Sequence, residues 1–370
     1  GLQIAALAAL TRLDPGWGLA ASVAFVMASF MNVPYADIMV AATVPALLFY
    51  LVLLIQTDCY AARNGLKGLP RDQLPKLWLV LRSGWIYLVS LIALVWLLLA
   101  TNAEAKAPFY ITVLLVLTAL WRARKDGIGK PIVTMILEVG TTIGMLVGVL
   151  AGVGMVVGSL AITGVGNAFS RELLQYAGGN PYLLLLFGAA TSFILGMGMT
   201  VSACYIFLAV VLAPALTEAG FSQMAAHLFI LYWAMLSYIT PPVAMAAVAA
   251  ASIAKAPAMQ TGVTAMRLGA LLFVLPFLFV LNPNLILEGD ALHVTMAVGT
   301  AIVSILMLSA ASERWIYILN RSARGWEAVV LLIGGLCLLV PERMSDLIGF
   351  AALALVMGHG LLTRKKEIAA

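Results

Sequence analysis

Long apolar runs separated by short charged connections set the pattern of this chain. A helix that crosses a bilayer needs about 20 apolar residues, and a half-helix fewer. On that measure spans are predicted at 17–32, 38–56, 84–101, 108–121, 137–164, 182–199, 201–217, 223–254, 260–281, 292–311, 327–340 and 345–362. Two places inside this pattern predict a helix that breaks at membrane depth. The first is Gly196-Met197-Gly198-Met199-Thr200-Val201-Ser202, set between two apolar runs; the second is Ser237-Tyr238-Ile239-Thr240-Pro241-Pro242, inside the run 223–254. The 32 residues of that run, at ~1.5 Å each, overfill a bilayer core of about 30 Å. Neither proline can donate a backbone hydrogen bond, and each excludes helical geometry before it, so the break is expected at Pro241-Pro242. The pair 182–217 is expected to be a re-entrant hairpin, because each limb is only about 17 residues long and the turn carries no charge.

Charge then orients the spans. The longest polar connection, 57–83, carries Arg63, Lys67, Arg71, Lys76 and Arg82 and is expected to be a cytoplasmic loop. Placing it inside fixes every later loop by alternation. The basic segments 122–136, Lys255 to Arg267, 312–326 and Arg364-Lys365-Lys366 then also fall inside. Of the 21 basic residues only Lys106, Arg171 and Arg343 are left outside, which is the asymmetry that lysine and arginine show across membranes. Reading 223–238 and 241–254 as two full crossings would reverse this, so 223–254 is one broken crossing.

Composition agrees and excludes other classes. The chain is 63% hydrophobic and 10% charged, with mean hydropathy +1.06, which describes an all-α polytopic membrane protein embedded in a lipid bilayer. The net charge of +5 follows from membrane orientation and gives no reason to expect nucleic acid as a partner. Cys59, Cys204 and Cys337 lack metal or disulfide spacing and are expected to pack. The chain opens on Gly1 with no basic n-region, so no signal peptide is expected at its start. No cofactor motif is present.

Breaks of this kind persist in lipid only where they line a protected cavity. Hydroxyls beside freed carbonyls suit a dehydrated cation or a carboxylate, and the pairing points to a secondary transporter. A coordination shell of oxygens without carboxylates suits a singly charged hard ion, since calcium and magnesium demand acidic ligands. The alternative stays open: Thr200, Ser202, Ser237 and Thr240 bond to carbonyls of their own helices, Gly196 and Gly198 serve helix packing, and Pro241-Pro242 is a kink.

The blocks Gly196 to Tyr205, Ala213-Pro214-Ala215-Leu216, Ala226-His227-Leu228-Phe229, Ile239-Thr240-Pro241-Pro242-Val243-Ala244, Thr261-Gly262, Arg267-Leu268-Gly269 and Pro276-Phe277-Leu278-Phe279 together resemble the large permease subunit of tripartite ATP-independent periplasmic (TRAP) transporters. The loop Gly65 to Arg71 resembles the fused, TAXI-like type of that subunit. The resemblance runs over roughly residues 20 to 290 and implies an elevator-type fold with two inverted repeats, each holding a re-entrant hairpin and a discontinuous helix. On that pattern residues 1–56 are the remainder of the first repeat and 57–83 the cytoplasmic loop. Residues 84–136 are scaffold spans with a basic loop, 137–281 the second repeat with hairpin 182–217 and broken helix 223–254, and 282–370 C-terminal spans. The chain then resembles a C-terminal portion, with the first hairpin expected upstream of residue 20. The implied activity is cation-coupled uptake of a small carboxylate, usually with sodium, at a cell's inner membrane, with a soluble periplasmic substrate-binding protein as partner. Carried over by position, Gly196, Gly198, Ser202, Ser237 and Thr240 are the sodium ligands, and Thr200, Pro241 and Pro242 complete the ion- and substrate-binding set. The family usually has proline where this chain has Thr200 and a hydroxyl residue where it has Val201.

Outside this set, Glu138 is expected to be interfacial or to pack, and His227, His293 and His359 to sit at span ends. His227 belongs to a matched block and is a further candidate to pack on the hairpin. Two other readings compete with an intact permease. One is a truncated or degenerate permease half without independent transport. The other is an integral membrane lipid-modifying enzyme, which would need grouped His, Asp, Glu or Cys; no HxxxxD-like or HExxH pattern occurs.

Overall fold

The computed structural model describes residues 15–66, 76–101, 106–123, 129–197, 199–241 and 244–369. The sequence readings at Gly198, Pro242 and loop residues 67–75 therefore lie outside the described residues. Helix makes up 83% of the structure. The regular strand among the described residues is one short antiparallel pair, Trp315–Ile316 with Arg321–Ser322. The protein is an all-α polytopic membrane protein.

Among the described residues sixteen α-helices follow one another in chain order. They are α1 Pro15–Met31, α2 Tyr35–Arg63, α3 Leu77–Thr101, α4 Lys106–Ala123, α5 Gly129–Thr163, α6 Val165–Tyr176, α7 Pro181–Gly196, α8 Val201–Val211, α9 Ala213–Glu218, α10 Gln223–Leu236, α11 Met245–Ala254, α12 Ala258–Leu268, α13 Leu275–Leu281, α14 Ala291–Glu313, α15 Gly325–Cys337 and α16 Arg343–Ala369. Among the described residues α2, α14 and Arg343–Leu362 of α16 are single helices long and apolar enough to cross a bilayer unaided. The 16 residues of α7 and 11 of α8 span roughly 24 and 16 Å, short of the ~30 Å core.

Two sequence readings shift. The span 260–281 is not straight: α12 and the segment Ala270–Leu281 meet at an angle of 66°, where Gly269 ends α12 and a 3₁₀ turn, Ala270–Phe273, takes over. The connection holding Arg171 is a helix, the amphipathic α6. It is tied to the end of α8 by the Ser170 hydroxyl, which donates to Val211 O at 2.5 Å.

One continuous core runs through α1, α2, α7, α8, α10, α13 and α14, with Tyr205, Phe229 and Phe279 wholly buried at its centre. A second core, around Met307, Ile316, Leu331 and Val356, belongs to α14, α15, α16 and the strand pair. Apolar residues such as Leu54, Ile92, Ile143 and Leu361 remain exposed, as lipid-facing positions require. Contacts also gather the basic segments that the charge pattern assigned to one side. Arg63 at the end of α2 donates to Glu313 O at 3.2 Å, and Arg267 at the end of α12 pairs with the Glu313 carboxylate at 3.2 Å. Segments far apart in sequence thus converge at one face.

Candidate functional site

The geometry around the two predicted breaks starts with helix ends. Asn180 caps α7, its side chain accepting from Tyr182 N at 2.9 Å and Leu183 N at 3.3 Å, with Pro181 in the first turn where its missing N–H is harmless. The helix stops at Gly196 and the chain turns through Met197, Met199 and Thr200. There Thr200 accepts from Ala203 N at 3.3 Å and so caps α8. This gives Thr200, which stands where the family usually has proline, a local structural use. Cys204 of α8 donates through sulfur to Ser192 O of α7 at 3.7 Å, closing the two limbs on each other.

The second interruption begins earlier than the prolines alone predict. Helix α10 ends at Leu236 and α11 starts at Met245. In between, the i→i−4 ladder gives way to tighter i→i−3 bonds: Tyr238 N to Met235 O, Ile239 N to Leu236 O and Thr240 N to Ser237 O, at 3.1–3.2 Å. Ala244 enters α11 with φ 34°, a left-handed geometry that an alanine adopts only where its surroundings impose it. Ser237 and Thr240, each 3% exposed, donate their hydroxyl protons to Ala234 O at 2.7 Å and Leu236 O at 2.8 Å. These are bonds within their own helix, and a hydroxyl whose proton is held this way still has lone pairs to offer.

The two interruptions meet. A Cβ built on Gly196 would stand 3.2 Å from Ala234 O and 3.3 Å from both Cβ and Oγ of Ser237, so the hairpin turn lies against the broken helix with little room for a side chain. On the other side of the break, a Cβ on Gly262 of α12 would stand 2.9 Å from Pro241 Cγ. Pro241 is thus braced by the returning helix. Ser202 is buried in the first turn of α8. Two helix C-termini, Gly196 and Leu236, and two N-termini, Val201 and Met245, flank the junction. Partial negative charge from the former favours a cation, and partial positive charge from the latter favours a carboxylate.

Sequence reasoning missed the parts that hold this junction together. The Tyr205 hydroxyl meets His227 Nδ1 at 2.8 Å, joining α8 to α10. His227 is 5% exposed, which corrects the expectation of an interfacial span end and realises its packing on the hairpin. Phe193 of α7 sits edge-on to Trp233 of α10 and to Phe273, with Phe277 on Trp233. No spacing rule links these rings, because their contacts cross four elements. Beside the break lies a cleft of about 240 Å³ between α2 and residues 232–239. Among the described residues no three His, Cys, Asp or Glu side chains converge as a metal site would need.

Comparison with individual curated proteins and with solved structures returns no match. The family model described as tripartite ATP-independent periplasmic transporter, DctM component, matches residues 19–289. That interval contains the hairpin, the broken helix and their meeting point, and the chain belongs to this family of transporter permease components.

Proposed function

We propose that this chain is the permease of a secondary, cation-coupled uptake system of an inner membrane, moving a small carboxylate handed over by a periplasmic substrate-binding protein, with sodium as coupling ion. The observation that carries the reading is the contact of the Gly196 turn with Ser237. It brings two interrupted helices together, and neither stretch, 196–202 or 237–242, carries an acidic residue in its sequence, which supports ligation by peptide and hydroxyl oxygens. Gly196, Gly198, Ser202, Ser237 and Thr240 are the proposed sodium ligands. Thr200, Pro241 and Pro242 complete the proposed ion- and substrate-binding set. The oxygen-only set supports a monovalent ion over calcium or magnesium. Family membership supports transport over lipid chemistry.

A ligand that binds only the folded state raises its unfolding temperature. Thermal unfolding of the purified full chain, compared in sodium and potassium, tests the ion site. Wild type should be stabilised by sodium above potassium, and Ser202→Ala and Thr240→Ala should lose that difference. Equal responses to both ions in all three proteins would remove the ion site proposed here.

A further inference from the structure

The cleft beside the break sits against α2 near Pro45, the residue that interrupts the donor ladder of that helix at its middle. Its walls come from Phe49 and Tyr50 on one side and from Tyr232, Met235, Tyr238 and Ile239 on the other. Tyr238 and Ile239 belong to the interruption itself, while Ser237 between Met235 and Tyr238 turns away toward Gly196. The cleft and the hairpin therefore lie on opposite sides of one stretch of unwound backbone. None of the residues lining the cleft is Arg, Lys, Asp, Glu or His. The lining residues with polar side chains are three tyrosines, Tyr50, Tyr232 and Tyr238.

We propose that this cleft receives the apolar body of a small monocarboxylate, flat or branched, and that it selects against dicarboxylates and polyhydroxylated sugar acids. The inference rests on the transport reading above and narrows its substrate class. Four aromatic rings accept a flat or branched hydrocarbon body by stacking and edge contacts. A second carboxylate placed there would be stripped of water with no cation to meet it, and a row of hydroxyls would outnumber the available partners. The cost corresponds to at least ~10-fold weaker binding for each such compound. The single carboxylate of the favoured class is placed at the end of the cleft formed by Tyr238 and Ile239, which belong to the break. At about 240 Å³ the cleft is below the usual ~300–1,000 Å³ of ligand pockets, so the body is small.

The test measures unfolding midpoints of the purified full chain in sodium with benzoate, 3-methyl-2-oxobutanoate, succinate, glucuronate and benzyl alcohol, each at the same concentration. Benzoate and 3-methyl-2-oxobutanoate should each raise the midpoint by about 2–4 °C; succinate, glucuronate and benzyl alcohol should not. Ala46→Trp fills the cleft from α2 and should erase the response to both acids; Ala46→Leu, a smaller intrusion, is read in its place if the tryptophan variant does not fold. Stabilisation by succinate or glucuronate as strong as by benzoate overturns the proposal, as does a flat response to all acids. Equal stabilisation by benzyl alcohol overturns it too, since the cleft would then be a groove for any apolar body, a lipid chain included. The two readings fail separately. Sodium stabilisation with succinate preferred leaves the transport reading standing and removes the cleft's selectivity. Benzoate selectivity equal in sodium and potassium removes the ion site and keeps the cleft.

Discussion

The junction of hairpin and broken helix and the C-terminal unit of α14 to α16 both bury polar groups in an apolar protein, and they do it in opposite ways. At the junction the buried groups are neutral. Ser237 and Thr240 each hold one carbonyl of their own helix, and the backbone closes on itself through i→i−3 bonds. In the C-terminal unit the buried groups include an ionic cluster. The Glu327 carboxylate is fully buried, and it accepts from Arg321 Nη2 at 2.6 Å, Arg321 Nη1 at 2.9 Å, His359 Nδ1 at 2.9 Å and Arg324 N at 2.8 Å. A neutral hydrogen bond nets only about 1 kcal/mol, so a set of them can be exchanged for an ion's ligation shell. A buried carboxylate with four donors has no comparable alternative, and its cost is recovered only while every donor stays in place. The first arrangement suits a site that must take up and release, the second a fixed strut.

The largest expected effect breaks the strut. Glu327→Ala leaves Arg321 facing a void and should cost about 3–5 kcal/mol, read as a large fall in the thermal midpoint of the protein in detergent; a shift of under a degree would mean that the cluster carries no stability. Next comes Gly262→Ala. Its Cβ would sit 2.9 Å from Pro241 Cγ, close enough that something must move, and overpacking of this kind costs roughly 1–3 kcal/mol. Because the displaced atom belongs to the break, the sodium response should weaken along with the midpoint, and an unchanged response would separate α12 from the site. Ser237→Ala removes one helix-internal hydrogen bond, worth about 1 kcal/mol. Its midpoint should therefore stay near wild type while its sodium difference disappears; loss of both together would assign Ser237 to structure alone.

The smallest effect sharpens the contrast at Asp290, just before α14. His293 hydrogen-bonds the exposed Asp290 and holds its carboxyl below the usual aspartate range. A carboxylate lowered in the folded state contributes above its unfolded pKa, and the contribution is lost as pH falls through the folded value. An exposed pair contributes little in any case. Asp290→Asn should match wild type in midpoint at neutral pH, with any gap between them closing in acid. A gap of several degrees at neutral pH would show that surface charge matters here as much as the buried cluster.

Much of the fold was legible because the solvent imposes it. Lipid tolerates only apolar, internally bonded helices, so runs such as 38–56 and 292–311 announced α2 and α14. The breaks were legible for the same reason. Glycines and prolines in such runs are costly unless a turn needs them, and the turn after Gly196 fell where that cost predicted. The second break was placed at the prolines, yet the ladder already tightens at Ser237, because a proline removes the donor that the preceding turn would have used. Ser237 and Thr240 lie in the interruption, between Leu236 and Met245. Their bonds back to Ala234 and Leu236 match the alternative that the residue types left open, since one rotamer decides between its own segment and a neighbour. Nothing in the order of residues paired Tyr205 with His227, or Gly262 with Pro241.

Hydropathy, helix length and the sidedness of lysine and arginine are properties of short stretches against a solvent, and they determined from the sequence alone that this chain is a bundle of membrane helices with two interruptions. Only the tertiary structure decided that the interruptions touch, that α12 returns to brace Pro241, and that Glu313 draws Arg63 and Arg267 to one face. Each of those contacts joins elements far apart in the chain. Their geometry depends on how whole helices cross and pack, which no local pattern encodes.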